Sequence, residues 1–295
     1  MTMTGEIPGL DWLGGMCRRV WDPMIVWTGK HVLGISDEIF LGPSGSGDKT
    51  ADWISLLCIV AISAAATLVW LAIDRARAHD AHLRALLRIE LRYLLGFILL
   101  GYGVSKVLLL QFPEPNGARL MQRYGDSSPM GLLWTLMGAS PAYQFFSGAA
   151  EVAGAVFVLF RRTTTLGAIV LGGVLINVVM LNLCYDVPVK INSSHYLAMC
   201  VFLLLPELGR FANILWFNRP AQPVPHTLVL PKRWMRITRR IVKTGIIVAL
   251  VTANMKSHVE RLTPEGSNAW YEGYWAVTRF TRDGQDIPAI VTDKT

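Results

Sequence analysis

The sequence predicts an all-α fold, a polytopic bundle of membrane helices with added interfacial helices and a short C-terminal β-hairpin. Three observations predict it. Of 295 residues, 52% are hydrophobic and only 17% charged, with a mean hydropathy of +0.39, too apolar for an ordinary soluble domain. Five apolar runs approach the length of about 20 residues that a helix needs to cross a bilayer. Finally, the basic residues gather in short clusters between alternate runs, the pattern that orients a membrane protein.

Taken in chain order, residues 1–52 form an N-terminal segment expected outside the cell. Positions 10–40 mix Trp, Leu and Ile with Arg18, Arg19 and Lys30, the makeup of a helix lying in the interface rather than crossing it. GPSGSGD, which follows, reads as a flexible loop. Residues 53–87 hold an extra transmembrane helix (53–73) and a basic cytoplasmic loop with Arg75, Arg77 and Arg84, continued by Arg88 and Arg92 at the start of the next segment.

Residues 88–217 hold four further spans, at 91–110, 141–160, 164–184 and 195–217. Within this core, Ser128-Pro129 opens GLLWTLMG and Ser140-Pro141 opens the 141–160 run. Each sets a serine N-cap before a proline at the first helical position. The first of these helices is too short to cross and is expected to lie across the outer face.

Residues 218–255 make a second basic loop and a shorter apolar run at 241–255, a possible sixth span, in which Lys243 reaches for the interface. The tail, 256–295, faces outside, with an alternating stretch around Asp283-Gly284 that reads as a hairpin. More chain is expected beyond both ends.

Three loops carry the basic clusters: 74–90, Arg161-Arg162, and the stretch from Arg210 to Arg240. They alternate with sparsely basic ones, so they are expected in the cytoplasm, with 111–140, 185–194 and the tail outside. The net charge of +7 is explained by these clusters, and nucleic acid is not an expected partner; the lipid bilayer is. No basic region followed by an apolar core stands at residues 1–16, so insertion is expected to rely on internal spans. Cys17, Cys58, Cys184 and Cys200 lack CxxC spacing, and no metal is expected. Haem is not expected either: of six histidines only His195 touches a span. No Gly-rich phosphate loop, HExxH or GxSxG occurs.

Glu151 poses the sharpest question. It stands in FFSGAAEVAGAVFVLF, where an ionised group costs at least about 2.5–3.5 kcal/mol. Three and four residues away lie Ser147, Gly148, Gly154 and Ala155, small residues that let another helix approach. Glu151 should therefore face protein. Counting depth at 1.5 Å per residue, Glu151 lies roughly 15 Å from the basic side, Lys106 about 21 Å and Asn177 about 18 Å. Tyr102 sits one turn before Lys106. These four residues make a candidate ligand-binding cluster. Read functionally, it binds a polar head group or relays protons; read structurally, it locks helix register by a buried ion pair. A second group, Asp126, Asn182, Asp186, Lys190 and His195, is a candidate polar rim toward the outside, against which stands the simpler reading of a solvated loop. Catalytic residues are not identifiable.

Two stretches carry a resemblance. RYLLGFILLGYGVSK (92–106) and SGAAEVAGAVFVLFRRTTTLGAIVLGGVLINVV (147–179) resemble helices of the DoxX family. YGDSSPMGLLWTLMG, FRRTTTLGA and NVVMLNLCYDVPVKINSSH resemble a longer subgroup of it. The resemblance implies a DoxX-like four-helix core at 88–217 in a multi-pass protein of the bacterial inner membrane. It implies too a role beside quinone-linked redox complexes, with quinone as the expected cofactor, or else a role in assembly or chaperoning with a redox or periplasmic protein partner. Two readings thus stand open: a quinone-linked membrane subunit with its head-group site near Lys106, Glu151 and Asn177, and a non-catalytic interaction protein in which the ion pair is structural. Whether the chain is an enzyme stays open with them. A transporter reading finds no inverted repeat in the sequence.

Overall fold

The computed structural model describes residues 11–42, 48–73 and 80–221, with scattered positions further along. The described part is almost wholly helical. Helix α1 spans Asp11–His31, α2 Thr50–Ile73, α3 Asp80–Val107, α4 Gly117–Met121, α5 Pro129–Gly138, α6 Pro141–Leu159, α7 Thr164–Cys184 and α8 Lys190–Leu204. After α8 the chain stays helical through a 3₁₀ turn, the short α9 (Leu208–Phe211) and a π-type turn ending at Trp216.

Four of these helices are long and apolar enough to cross a membrane: Thr50–Ile73, Pro141–Leu159, Thr164–Cys184 and the continuous stretch Lys190–Trp216. The chain is therefore a multi-pass membrane protein built as an all-α bundle. The run expected at 91–110 falls inside α3, which does not join that group. Its first half carries Arg84, Arg88, Glu90 and Arg92, and Lys106 stands at its end, leaving too short an uninterrupted apolar stretch. It packs nonetheless in the middle of the bundle, mainly along α6 and also against α8. The run at 241–255 lies outside the described residues, apart from single positions.

Helices α3, α6, α7 and α8 enclose one core: Leu95, Leu99 and Leu100 meet Ala155, Val158, Ala168, Leu171, Leu175, Cys200 and Leu203. Since lipid tails are as apolar as leucine, packing contact and polar ties hold such helices together more than expulsion of water. Some of those ties are visible at the basic end. Arg92 of α3 donates from Nε to the carbonyl of Val158 and from Nη2 to that of Leu159, each at 3.1 Å. These are among the last carbonyls of α6, which have no partner within their own helix. Arg88 does the same for Leu203 of α8, at 3.4 Å. The start of α3 thus shares one end of the bundle with the finish of α6 and the end of α8.

The opposite end is closed by a cap. The serine–proline starts of α5 and α6 form as the sequence implies: Ser128 Oγ accepts from the N–H of Gly131, and Ser140 Oγ from that of Tyr143. Helix α5 packs its Leu133 and Met137 against Phe112 and Val187. It can lie this close because Gly138 has no side chain: a Cβ there would stand 2.1 Å from the carbonyl oxygen of Pro113.

Helices α1 and α2 form a smaller unit around Ile25, Ile39, Ala51, Ile54 and Cys58. Trp21 donates from its indole to Ser55 Oγ at 2.8 Å. Beyond Cys58, α2 is exposed on every face. Cys58 and Cys200 are buried, as small packing residues are; Cys17 and Cys184 are exposed, and all four are free thiols.

The expected C-terminal β-hairpin is not supported. Two residues, β1 (Thr281–Arg282), face two others, β2 (Gln285–Asp286). Among the described residues no third strand joins them, so the pair is too small to stand alone, and its flanks lie outside the described residues.

Candidate functional site

Among the described residues, one ion pair has both partners buried in the bundle. Lys106, near the end of α3, is 5% exposed, and Glu151, in the middle of α6, is 3% exposed. Lys106 Nζ donates to Glu151 Oε1. The two helices run antiparallel and touch almost backbone to backbone. A Cβ at Gly148 would lie 2.7 Å from the Gly103 carbonyl oxygen and 2.7 Å from Lys106 Cβ, and one at Gly103 would lie 2.9 Å from the Gly148 carbonyl oxygen. The lysine stem therefore lies over Gly148 and its ammonium reaches one turn along α6 to the carboxylate. Glu151 faces protein, as its small neighbours imply. Its second oxygen, Oε2, has no hydrogen-bond partner among the described residues.

Of the other two members of the expected cluster, Tyr102 lies near the pair without a hydrogen bond to it, and Asn177 stands apart. Tyr102 is 41% exposed. Its ring leans on Tyr196 of α8, centroids 6.4 Å apart. Asn177 is exposed, and the structure does not bring it to the pair. The buried side of α7 is formed by Ala168, Leu171, Leu175 and Asn182. Two residues past Leu175, Asn177 is turned by about 200° around the helix axis. Depth had matched, but rotation had not.

Nor does the polar rim converge on one point. Asn182 is buried and donates to Ser193 Oγ at 3.0 Å. Asp186, at a positive φ of 50°, accepts from Lys190 Nζ at 2.7 Å. His195 is exposed, with Nδ1 2.7 Å from the carbonyl oxygen of Ile191 on its own helix. Asp126 is exposed in a 3₁₀ turn between α4 and α5. These are local contacts, a tied helix start rather than a binding rim.

Three polar residues that sequence reasoning passed over do more to hold this end. Asp48, in the loop before α2, accepts from the N–H groups of Lys190 at 2.6 Å and Ile191 at 3.0 Å. It supplies an N-cap to α8 from 142 residues away, complementing the positive helix terminus; no local pattern betrays it. Gln144 of α6 is buried, its amide placed to donate to the Phe112 carbonyl at 2.9 Å and accept from the Phe112 N–H at 3.3 Å. A glutamine in an apolar run was its only signal. Arg119 follows α3 by twelve residues and reaches α5, donating from Nε to Thr135 Oγ1 at 2.5 Å. Beside it a recess of about 370 Å³ opens between α5 and the segment 113–116.

Comparison with known proteins places this architecture. Over 123 residues the chain is 32% identical to the uncharacterized protein YwoB of Bacillus subtilis (strain 168), covering 42% of this chain and 78% of YwoB. The chain belongs to the YwoB family. No family model matches it, and no solved structure does. The likeness to YwoB covers less than half of this chain.

Proposed function

We propose that this YwoB-family chain is a non-catalytic membrane protein that presents its capped end, on the outer side, to a protein partner, with Lys106 and Glu151 as a structural lock. The observation that carries this reading is the tightness of the seam around the pair. Gly103 and Gly148 bring the backbones into contact one turn away, and both charged side chains are shut off from solvent, so a head group has no room to enter between α3 and α6. A buried charge pair that only stabilises helix register needs no such room. The cap, by contrast, offers exposed Leu120, Met121, Tyr124 and Leu136 on a platform whose α4 and α5 are tied together by Arg119 and which Gln144 of α6 anchors at Phe112. Exposed apolar side chains on such an end suit a contact with another protein.

A photo-crosslinking amino acid at Tyr124, introduced into the full chain in cells, tests the reading, with Phe145 as a control on the exposed flank of α6. A single discrete protein adduct from Tyr124, absent from Phe145, is expected. Lipid adducts alone at both positions would refute it.

One observation favours a second reading, a quinone-linked subunit of DoxX type. Glu151 Oε2 is unpartnered and could accept a hydrogen bond from a hydroquinone hydroxyl, with Tyr102 and Tyr196 at the α3–α8 surface beside it. This reading requires the seam to open, and it predicts quinone in the purified protein.

A further inference from the structure

The recess beside Arg119 has a chemistry of its own. Arg119 is held in place before any ligand arrives. Its backbone N–H goes to Asn116 Oδ1 at 2.9 Å, Nε to Thr135 Oγ1 at 2.5 Å, and Nη1 to Gln122 Oε1. None of these acceptors is charged. Glu114 lines the same recess, yet among the described residues neither Glu114 nor Arg119 makes an ion pair. Two opposite charges thus share one concave site without neutralising each other. Trp134 forms part of the wall, its ring fixed edge-on by Phe112 with centroids 5.0 Å apart at 72°, and Met130 adds an apolar surface.

A net-neutral recess with separated charges suits a zwitterion better than an anion, since an anionic ligand would meet the Glu114 carboxylate. Guanidinium groups favour phosphate oxygens, and an indole face attracts an ammonium. The position says which zwitterion. Helix α5 runs into the span α6 after only Ala139 and Ser140, so the recess sits at the level where that span leaves the hydrocarbon. Leu120, Met121 and Tyr124, next along the chain from Arg119, are exposed, and tyrosine is enriched at the membrane interface. The volume is that of a small-molecule site, roughly 300–1,000 Å³.

We propose that this recess seats the head group of a zwitterionic, amine-bearing phospholipid, with its phosphate on Arg119 and its ammonium at Glu114 and Trp134. The contacts proposed for the head group fall on Arg119, Glu114 and Trp134 and not on the exposed Tyr124 offered to a protein partner.

The test uses the purified full chain in a neutral detergent, titrated by calorimetry with dihexanoyl phosphatidylethanolamine, dihexanoyl phosphatidylglycerol and inorganic phosphate. The ethanolamine lipid should bind saturably and at least about fivefold more tightly than the glycerol lipid. Arg119→Gln should weaken both lipids about tenfold or more, and Arg123→Gln, an exposed arginine outside the recess, should weaken neither. Glu114→Gln should erase the preference for the amine without weakening the glycerol lipid. Glu114 is exposed and makes no bond among the described residues, so this variant decides the matter even if Arg119→Gln misfolds. Phosphate binding as tightly as either lipid would assign the recess to the free ion and overturn the lipid assignment. Absence of saturable binding, or equal affinity for the two lipids untouched by Glu114→Gln, would overturn the proposal as well.

Discussion

Replacing Glu151 with methionine leaves an ammonium facing no acceptor, in a seam where Lys106 is 5% exposed. Gly148 lies directly under its stem, so the side chain has little freedom to turn toward water. Breaking a buried pair from one side costs about 3–5 kcal/mol, because the surviving charge stays desolvated. Lys106→Met strands the carboxylate in the same way, with Oε2 already lacking a hydrogen bond, and should cost a similar amount. The double variant Lys106→Met/Glu151→Met removes both charges and keeps similar volume. It should lie within about 1 kcal/mol of the parent or be more stable by up to about 4 kcal/mol. Reversible unfolding in mixed micelles, followed by far-ultraviolet circular dichroism, gives all four corners of the cycle. The coupling should approach the sum of the two single losses, at least about 5 kcal/mol. A double variant as unstable as the worse single would refute the reasoning, because the charges would then serve something other than each other.

Other predictions follow from the same geometry. Gly148→Ala pushes a methyl group to 2.7 Å from the Gly103 carbonyl oxygen and should destabilise by at least the 1–3 kcal/mol typical of overpacking. Gly173→Ala, with nothing within 4 Å, should be neutral or slightly stabilising in the same melt. Asp48→Ala removes the distant cap of α8 and should cost about 0.5–2 kcal/mol, with faster hydrogen exchange at Lys190 and Ile191; unchanged exchange there would remove the cap from the account. Arg92→Met removes the two guanidinium bonds to the Val158 and Leu159 carbonyls and should lower stability by about 1–3 kcal/mol, while Asn177→Ala should leave the melting temperature where it was.

Much of the fold was legible because apolar length and serine–proline starts are local signals. The helices at Pro141 and Thr164 begin where those signals put them, and α5 has the short length that GLLWTLMG implies. The pairing of Lys106 with Glu151 was legible for a different reason: depth along a helix can be counted from its basic end, and the two residues were close in depth. The same counting failed for Asn177, since it carries no information on rotation about the axis. It gave Tyr102 no partner in the pair either, because that side chain turns toward α8. Asp48, Arg88 and Arg92 were read as loop and topology residues. Their roles as caps depend on which helix ends become neighbours, a property of the packed bundle that no single stretch of sequence holds. The polar rim dissolved for a related reason, as Asp186, Lys190 and His195 satisfy themselves within one or two turns. The hairpin around Asp283-Gly284 rested on alternation alone, and two paired residues a side do not sustain it.

The central claim is that the charges inside this bundle belong to its architecture and not to a ligand. Quinone extracted per chain from the purified parent and from the Lys106→Met/Glu151→Met double variant tests it most directly. The account predicts far less than one quinone per chain in both, with the two proteins equally folded. Near-stoichiometric quinone in the parent, lost from a folded double variant, would contradict it and place a head group at Glu151.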